Sequence, residues 1–224
     1  MLKSHMSAMS KTKGLLQASH FGPTLLVTAI SFGFATYYWW EGPAYVIAFG
    51  VFTGQLVVGW SNDLYDYQDD LRHQRTKKPL VSGIITKEFL EKWLRFMVPF
   101  SFIANIFGPL GVKGGLVYMF GIACGVAYNL YFKFSILSPL PYALAFAALP
   151  SCIAVSKGIA PPVWMWLGGA IFGMAAHFIN VIKDMKEDRD SGIGGLPQRI
   201  GTKSSVIAAA LLVVIGIAVL LWKN

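Results

Sequence analysis

Charged residues are scarce in this sequence, and their scarcity excludes most soluble folds. Only 13% of the 224 residues are Asp, Glu, Lys or Arg, whereas 55% are hydrophobic. A typical soluble domain has about 25% charged residues. The composition therefore indicates a protein whose surface lies mostly in lipid.

Cysteine is scarcer still, which excludes a disulfide framework or a cysteine-based metal site. Cys124 and Cys152 both lie in apolar runs, and neither has the spacing of a zinc or redox motif. We interpret them as small buried residues. We also expect no cleavable signal peptide, because the first apolar run is long and lacks a small-residue cleavage site.

Long apolar runs, by contrast, are abundant. A helix that crosses a bilayer needs about 20 mostly apolar residues, and seven segments meet that requirement. They predict one all-α domain over residues 1–224, a polytopic bundle of transmembrane helices, with residues 1–15 as a flexible cytoplasmic tail. The predicted spans are 21–40, 42–61, 92–110, 113–132, 138–156, 161–182 and 204–222.

The charges are divided unequally between the two sides that seven spans create. Of the 19 lysine and arginine residues, only Lys113, Lys157 and Lys223 fall on the side opposite the N-terminus. Because cytoplasmic loops carry the excess of positive charge, we predict a cytoplasmic N-terminus. We expect the net charge of +8 to face membrane lipids, and we do not expect nucleic acid as a partner.

Two acidic clusters on the predicted cytoplasmic side repeat the same spacing, Asn-x₃-Asp-x₃-Asp. One follows span 2 and the other follows span 6, and Glu41 is the only acidic residue on the opposite side. Orientation rules do not require acids there, so the clusters call for another explanation. The two triplets are Asn62, Asp66 and Asp70, and Asn180, Asp184 and Asp188.

Each triplet places one amide and two carboxylates along one helix face, because residues four apart share a face. Oxygen donors of this kind suit Mg²⁺, so all six residues are predicted metal ligands and the four aspartates are also predicted to be catalytic. The alternative is a set of solvated acids at the membrane interface. Asp63 and Asp69 lie off the two faces and are either supporting or plain surface residues.

Basic and aromatic residues near these clusters are candidates for binding an anionic substrate. Their cations could neutralise phosphate oxygens and stabilise a departing diphosphate, although contact with lipid headgroups explains them equally well. We predict catalytic roles for Lys78 and Lys133, and we interpret His177 as a packed helix residue. The predicted substrate-binding residues are Arg72, Arg75, Lys78, Tyr128, Lys133 and Arg199.

The order of these motifs resembles the UbiA superfamily of intramembrane prenyltransferases over nearly the whole chain. The first signature of that family resembles Asn62, Asp63, Asp66 and Asp70, followed by the stretch 78–83, in which Lys78 replaces the usual arginine. The other resembling segments are Asp184 with Asp188 and Gly192, Tyr128 through Lys133, and Phe21 through Thr24. Members of that family usually have about nine spans, so this chain is shorter.

The resemblance implies a helical bundle in which Mg²⁺ and a prenyl diphosphate bind above a lipid-facing chamber. It implies transfer of the prenyl group to a lipophilic acceptor, commonly an electron-rich aromatic ring. A terpene cyclase of the same fold is the alternative. A transporter remains a third reading, since intramembrane acids also form translocation paths.

Overall fold

The computed structural model describes residues 8–222, and this part of the chain is helical with no strand. The all-α prediction is therefore confirmed. A short 3₁₀ helix, Phe132–Phe134, follows α5. The α-helices are α1 (Ala8–Ala18), α2 (Phe21–Tyr38), α3 (Glu41–Arg72), α4 (Lys87–Phe107), α5 (Gly111–Leu130), α6 (Pro139–Ser156), α7 (Val163–Asp190) and α8 (Leu196–Leu221).

Each of the seven predicted spans falls on one of the helices α2 to α8. By length and composition, five of these are apolar enough to cross a membrane, namely α3, α5, α6, α7 and α8. The first half of α4 carries charged residues such as Glu91, Lys92 and Arg95, and α2 contains several hydroxyl groups that lower its hydropathy. The count of seven spans thus stays a prediction. The conclusion that several helices of the chain can cross a membrane does not depend on that count.

The predicted tail is partly helical. Residues 8–15 belong to α1, whereas residues 1–7 lie outside the described part of the chain. Gly14 is buried against Ile85, since a Cβ at Gly14 would lie 2.5 Å from a methyl carbon of Ile85. The indole of Trp60 on α3 donates a hydrogen bond of 2.9 Å to the Leu15 carbonyl, which fixes α1 against the bundle.

The two helices that carry the acidic clusters continue without interruption through those clusters. With 32 residues, α3 is about 48 Å long, and α7 with 28 residues is about 42 Å long. The hydrocarbon core of a bilayer is only about 30 Å thick. The ends of α3 and α7 can therefore project beyond the hydrocarbon while their apolar parts span it.

Small residues let the long helices approach one another closely. A Cβ at Gly169 or Gly173 of α7 would lie 2.4 Å from the Phe146 or Tyr142 carbonyl oxygen of α6. Such close backbone approach is typical of helix packing in membranes. Helices adjacent in sequence pack side by side, and α2 also contacts α6. As a result, the helices α2, α3, α5, α6 and α7 surround a cavity.

The junction of α1 and α2 depends on one such glycine. A Cβ at Gly59 of α3 would lie 2.6 Å from the Ser19 carbonyl oxygen, and Ser19 is 1% exposed. Thr24 strengthens the junction, because its hydroxyl donates to the same Ser19 oxygen at 2.7 Å. Residues 19 and 20 are thereby held against α3, one turn before its acidic cluster.

We expect Gly59→Ala to destabilise the protein, because the new methyl group meets backbone that cannot simply rotate away. Overpacking of this kind typically costs about 1–3 kcal/mol. Gly33→Ala in α2 is the matched control, since nothing lies within 4 Å of its Cβ position and alanine favours a helix. Thermal unfolding in detergent checks both variants. An unfolding temperature of Gly59→Ala at or above that of wild type would contradict the prediction.

Candidate functional site

A cavity of about 530 Å³ lies between α2, α3, α5, α6 and α7. One part of its wall is polar and the remainder is mostly apolar. We call the polar part the cavity mouth. The residues of the cavity mouth are His20, Asn62, Asn129, Asn180 and Lys183; the apolar part includes Val27, Val58, Ile122, Phe146 and Leu149.

Asp66 is tied to the centre of the site by two polar partners. The Lys133 ammonium group, on the 3₁₀ helix, pairs with one carboxylate oxygen of Asp66. The Asn62 amide donates to the other oxygen at 3.0 Å and to Asn129 at 3.2 Å. Lys133 is only 5% exposed and also lies 5.0 Å from the ring centre of Tyr65. Asp66 and Lys133, each predicted to be catalytic, therefore lie in direct contact, a pairing that the sequence analysis did not predict.

Arg75 links the ends of the two acidic helices. Its guanidinium group donates to Asp70 on α3 at 2.7 Å and to Ser191, just after α7, at 2.7 Å. It also lies 3.9 Å from a carboxylate oxygen of Glu187. One side chain therefore contacts the ends of both helices that carry the acidic clusters.

The charge of Arg75 is secured by these neighbours. Burial alone would lower the pKa of the guanidinium, but the hydrogen bond to Asp70 and the nearby Asp69 and Glu187 charges raise the pKa above its ordinary value. Arg75 therefore stays a permanent cation between the clusters.

Asp63, predicted to lie off the two helix faces as either a supporting or a surface residue, is buried. It is 2% exposed, and its carboxylate accepts from Lys78 at 2.6 Å and lies 3.3 Å from the His20 ring nitrogen Nε2. Its second oxygen has no hydrogen-bond partner among the described residues. Asp63 is thus a buried ion-pair partner of Lys78. The Lys78 ammonium group pairs with Asp63 and not with Asp66 or Asp70.

The second cluster contributes a cavity residue and a supported carboxylate. Asn180 lines the cavity together with Tyr142 of α6. Asp188 accepts from the Gln198 amide of α8 at 2.8 Å, and Asp184 lies half-buried one turn earlier. Both ends of the triplet are therefore placed by neighbouring helices, Asn180 by α6 and Asp188 by α8.

Tyr128 lies where the sequence placed it, beside the cavity mouth. Its ring stands edge-on to Tyr142 at a centroid distance of 5.0 Å and to His177 at 5.4 Å. His177 is 1% exposed, and its Nε2 hydrogen-bonds to Ser138 at 3.1 Å, which agrees with a packed helix residue.

Two predicted substrate-binding residues lie outside this group. Arg72 is exposed at the end of α3, and Arg199 is exposed with its Nε donating to the Gly194 carbonyl at 2.7 Å. Unlike Arg75 and Lys133, neither forms an ion pair with the acidic clusters among the described residues. Their binding role remains a prediction that the geometry does not favour.

The carboxylates fit Mg²⁺ in kind and in number. Within residues 8–222, no group of three or more His, Cys, Asp or Glu side chains could enclose a metal ion alone. Mg²⁺ does not need such a cage, because it is usually held by one or two carboxylates, water and substrate phosphate oxygens. Asp66 with Asp70, and Asp184 with Asp188, offer such pairs one turn apart.

Several residues of the site carry no recognisable signal in the sequence. His20 and Lys183 line the cavity mouth, and Gln55 lines the remaining wall together with Tyr118. Gln198 supports Asp188 from α8. Each acts through contacts between helices, which periodicity along one helix does not reveal.

Comparison with solved structures shows the same fold. The chain superposes on a UbiA homolog from Archaeoglobus fulgidus bound to GPP and Mg²⁺ with a TM-score of 0.75 and 15% identity, covering 92% of this chain and 76% of that one. A structure of digeranylgeranylglyceryl phosphate synthase gives a TM-score of 0.69 and 17% identity, covering 93% and 76%. No curated protein sequence matches this chain.

Residues 18–223 match the UbiA prenyltransferase family. The match covers both acidic clusters, the basic loop after α3 and the helices around the cavity. It confirms the resemblance seen in the motifs and, with the five apolar helices, establishes an integral membrane protein. The chain belongs to the UbiA prenyltransferase family.

Proposed function

We propose that this protein is a Mg²⁺-dependent intramembrane prenyltransferase, which moves a prenyl group from an allylic diphosphate to a lipophilic acceptor. The observation that carries the proposal is the cavity itself. Its polar mouth lies next to the acidic clusters, because Asn62 of the mouth donates to Asp66 and Asn180 of the mouth begins the second triplet, while its remaining wall is mostly apolar. A prenyl diphosphate has the same division between a charged head and an apolar tail. The solved relative bound to GPP and Mg²⁺ supports this assignment.

In the proposed reaction, the acidic residues bind the metal and the basic residues bind the diphosphate. Asp66, Asp70, Asp184 and Asp188 would hold the metal, which supplies positive charge to the leaving diphosphate. Arg75 and Lys133 already lie among these carboxylates, so a diphosphate placed there meets two fixed cations. The apolar wall excludes water from the allylic carbon. The ring faces of Tyr128 and Tyr142 border the same space and stabilise positive charge.

A cyclase would use the same ionisation site, so the products decide between transfer and cyclisation. The transporter reading expects acids near mid-membrane on discontinuous helices. Here the acids lie at the ends of α3 and α7, which are continuous through them. We propose a cytoplasmic mouth on the basis of the charge distribution.

Asp66→Ala and Asp184→Ala should each reduce turnover at least about 100-fold, as loss of a main electrostatic contact to a transition state does. The measurement is incubation of purified protein with Mg²⁺ and allylic diphosphates of several lengths, with and without an aromatic acceptor, followed by mass spectrometry. An acceptor adduct supports transfer, whereas a cyclic hydrocarbon formed without acceptor supports cyclisation.

Asp69→Ala is the matched control for these variants. Asp69 belongs to the same cluster but is turned toward His73 and the outer side of Arg75. We expect it to retain most activity. Equal losses at Asp66 and Asp69 would show that the assigned helix face is wrong.

Metal and diphosphate should bind cooperatively, because each supplies charge that the other needs. Mg²⁺ should tighten binding of a non-hydrolysable prenyl diphosphate analogue, and the analogue should tighten Mg²⁺ binding by the same factor. Part of the tail affinity remains without metal, at about 0.8 kcal/mol per buried CH₂. Calorimetry with Mg²⁺ and with EDTA measures the coupling, which should vanish in Asp66→Ala/Asp184→Ala. Equal wild-type affinity in both conditions would exclude the acids as metal ligands.

Lys133→Met should change the two affinities in opposite directions. Without the Lys133 ammonium group, Asp66 loses its internal cation, so Mg²⁺ alone should bind more tightly. The diphosphate analogue should bind more weakly, since one of its cations is gone. Calorimetry measures both affinities, with Lys87→Met, from an exposed pair with Glu91, as the control. Weakening of both affinities would show that Lys133 only supports the local structure.

A further inference from the structure

Tyr118 of α5 lies at the inner end of the cavity, and the proposed mechanism does not use it. Tyr118 lines the cavity but is only 2% exposed. Its hydroxyl group donates a hydrogen bond of 2.7 Å to the Val51 carbonyl of α3. Gly54 of α3 leaves room for this hydroxyl group, because a Cβ at Gly54 would collide with it. The ring of Tyr118 therefore extends from α5 to the backbone of α3.

The helices are packed closely beyond Tyr118. On α6, Leu149 lines the cavity, whereas Cys152 and Ile153, one turn further along, are fully buried. On α5, Gly114 lies one turn beyond Tyr118, and a Cβ at Gly114 would lie 2.6 Å from the Cys152 carbonyl oxygen. Because the backbones of α5 and α6 meet at this level, the cavity ends at Tyr118 and Leu149.

The rise of two helices gives the depth of the cavity. The Asn62 amide donates to Asn129 at 3.2 Å, which places these two residues at the same level in the cavity mouth. On α5, Tyr118 lies about 16 Å from Asn129 along the helix axis. On α3, Gly54 and Val51, which contact the Tyr118 hydroxyl group, lie about 12–16 Å from Asn62. Both helices therefore place the ring of Tyr118 at the same distance from the mouth.

Between these two levels, α5 presents a narrow apolar face to the cavity. Gly125, Ile122 and Gly121 line the cavity, and their spacing of three or four residues puts them on the same face as Tyr118. An extended isoprene unit adds four carbon–carbon bonds of about 1.5 Å each, and therefore about 5 Å of length. Three such units match the depth of the cavity, whereas a fourth unit would meet the ring of Tyr118.

We propose that Tyr118 is a specificity residue that limits the prenyl diphosphate to a tail of about fifteen carbons. This assignment rests on the proposed prenyl transfer and adds the length of the substrate. With the diphosphate at the acidic clusters, a farnesyl tail reaches the ring of Tyr118, whereas a geranyl tail leaves the inner end of the cavity empty. The last unit of a geranylgeranyl tail has no space unless the ring is displaced.

A series of non-hydrolysable diphosphate analogues with tails of five, ten, fifteen and twenty carbons tests the proposal on wild type. Calorimetry with the full chain in detergent and with Mg²⁺ measures each affinity. Each added unit up to fifteen carbons should tighten binding roughly tenfold or more, because more apolar surface leaves water. The step from fifteen to twenty carbons should bring no gain. A gain at that step as large as the earlier ones would overturn the proposal, since the tail would then leave the cavity sideways.

Tyr118→Ala should open the inner end of the cavity to the longest tail. The lost ring leaves space beside Gly54, which has no side chain. The affinity ratio of the twenty-carbon to the fifteen-carbon analogue should therefore rise at least about tenfold over that of wild type. Comparing this ratio between variants cancels the partition of the tails into detergent. Tyr118→Phe keeps the ring and should keep the wild-type ratio. An unchanged ratio in Tyr118→Ala would contradict the assignment.

Val58→Ala is the control for a general loosening of the cavity. Val58 lines the cavity opposite Gly125, one turn from Asn62, so its truncation widens the cavity without extending its inner end. The ratio should stay at the wild-type value, and a shift equal to that of Tyr118→Ala would overturn the proposal. Should Tyr118→Ala fail to fold, Leu149→Ala opens the same inner end from α6 and should raise the ratio.

The same series separates this proposal from the proposed function. If wild type binds none of the analogues with Mg²⁺, prenyl transfer itself is wrong. If wild type binds them and the affinity keeps rising through twenty carbons, only the role of Tyr118 is wrong.

Discussion

Charge compensation at the ends of α3 and α7 is the constraint on which the site depends. Two unit charges 4 Å apart interact by about 4 kcal/mol near a protein surface, so the close carboxylates of each cluster repel one another strongly. Lys133 pairs with Asp66 and Lys78 pairs with Asp63. Arg75 pairs most closely with Asp70 and also faces Asp69 and Glu187. Removing any one of these cations leaves an acid without its partner.

The three cations come from two separate parts of the chain, and this makes the compensation structural as well as electrostatic. Lys78 and Arg75 belong to the loop after α3, and Lys133 belongs to the 3₁₀ helix after α5. Arg75 also reaches Ser191 after α7. These contacts therefore fasten the 3₁₀ helix and the loop after α3 to the end of α3, and that loop to the residue after α7. The glycines of α5 and α7 support this arrangement, because they let the helices pack closely enough for these segments to meet.

Much of the fold was predictable, because long apolar runs and the four-residue spacing of the acids are local properties. The helices α2 to α8 and the shared faces of Asp66 with Asp70 and of Asp184 with Asp188 follow from them. The burial of Asp63 was not predictable, since it depends on Lys78 and on a histidine in another helix junction. His20 lies 42 residues from Asn62, and only the contact of Ser19 with Gly59 brings them together. The helical part of the predicted tail was missed for the same reason, because α1 is short and is held by Trp60 and Ile85.

The division of the cavity into a charged mouth and an apolar wall has a consequence for what happens after the reaction. Under the proposed function the two products have opposite solubilities. Inorganic diphosphate leaves toward water through the mouth, whereas the prenylated product partitions into the surrounding lipid. Once separated between two phases, the products meet again only rarely. The architecture of the cavity thus opposes the reverse reaction by physical partition, without any contribution from the chemistry of the bond that was formed.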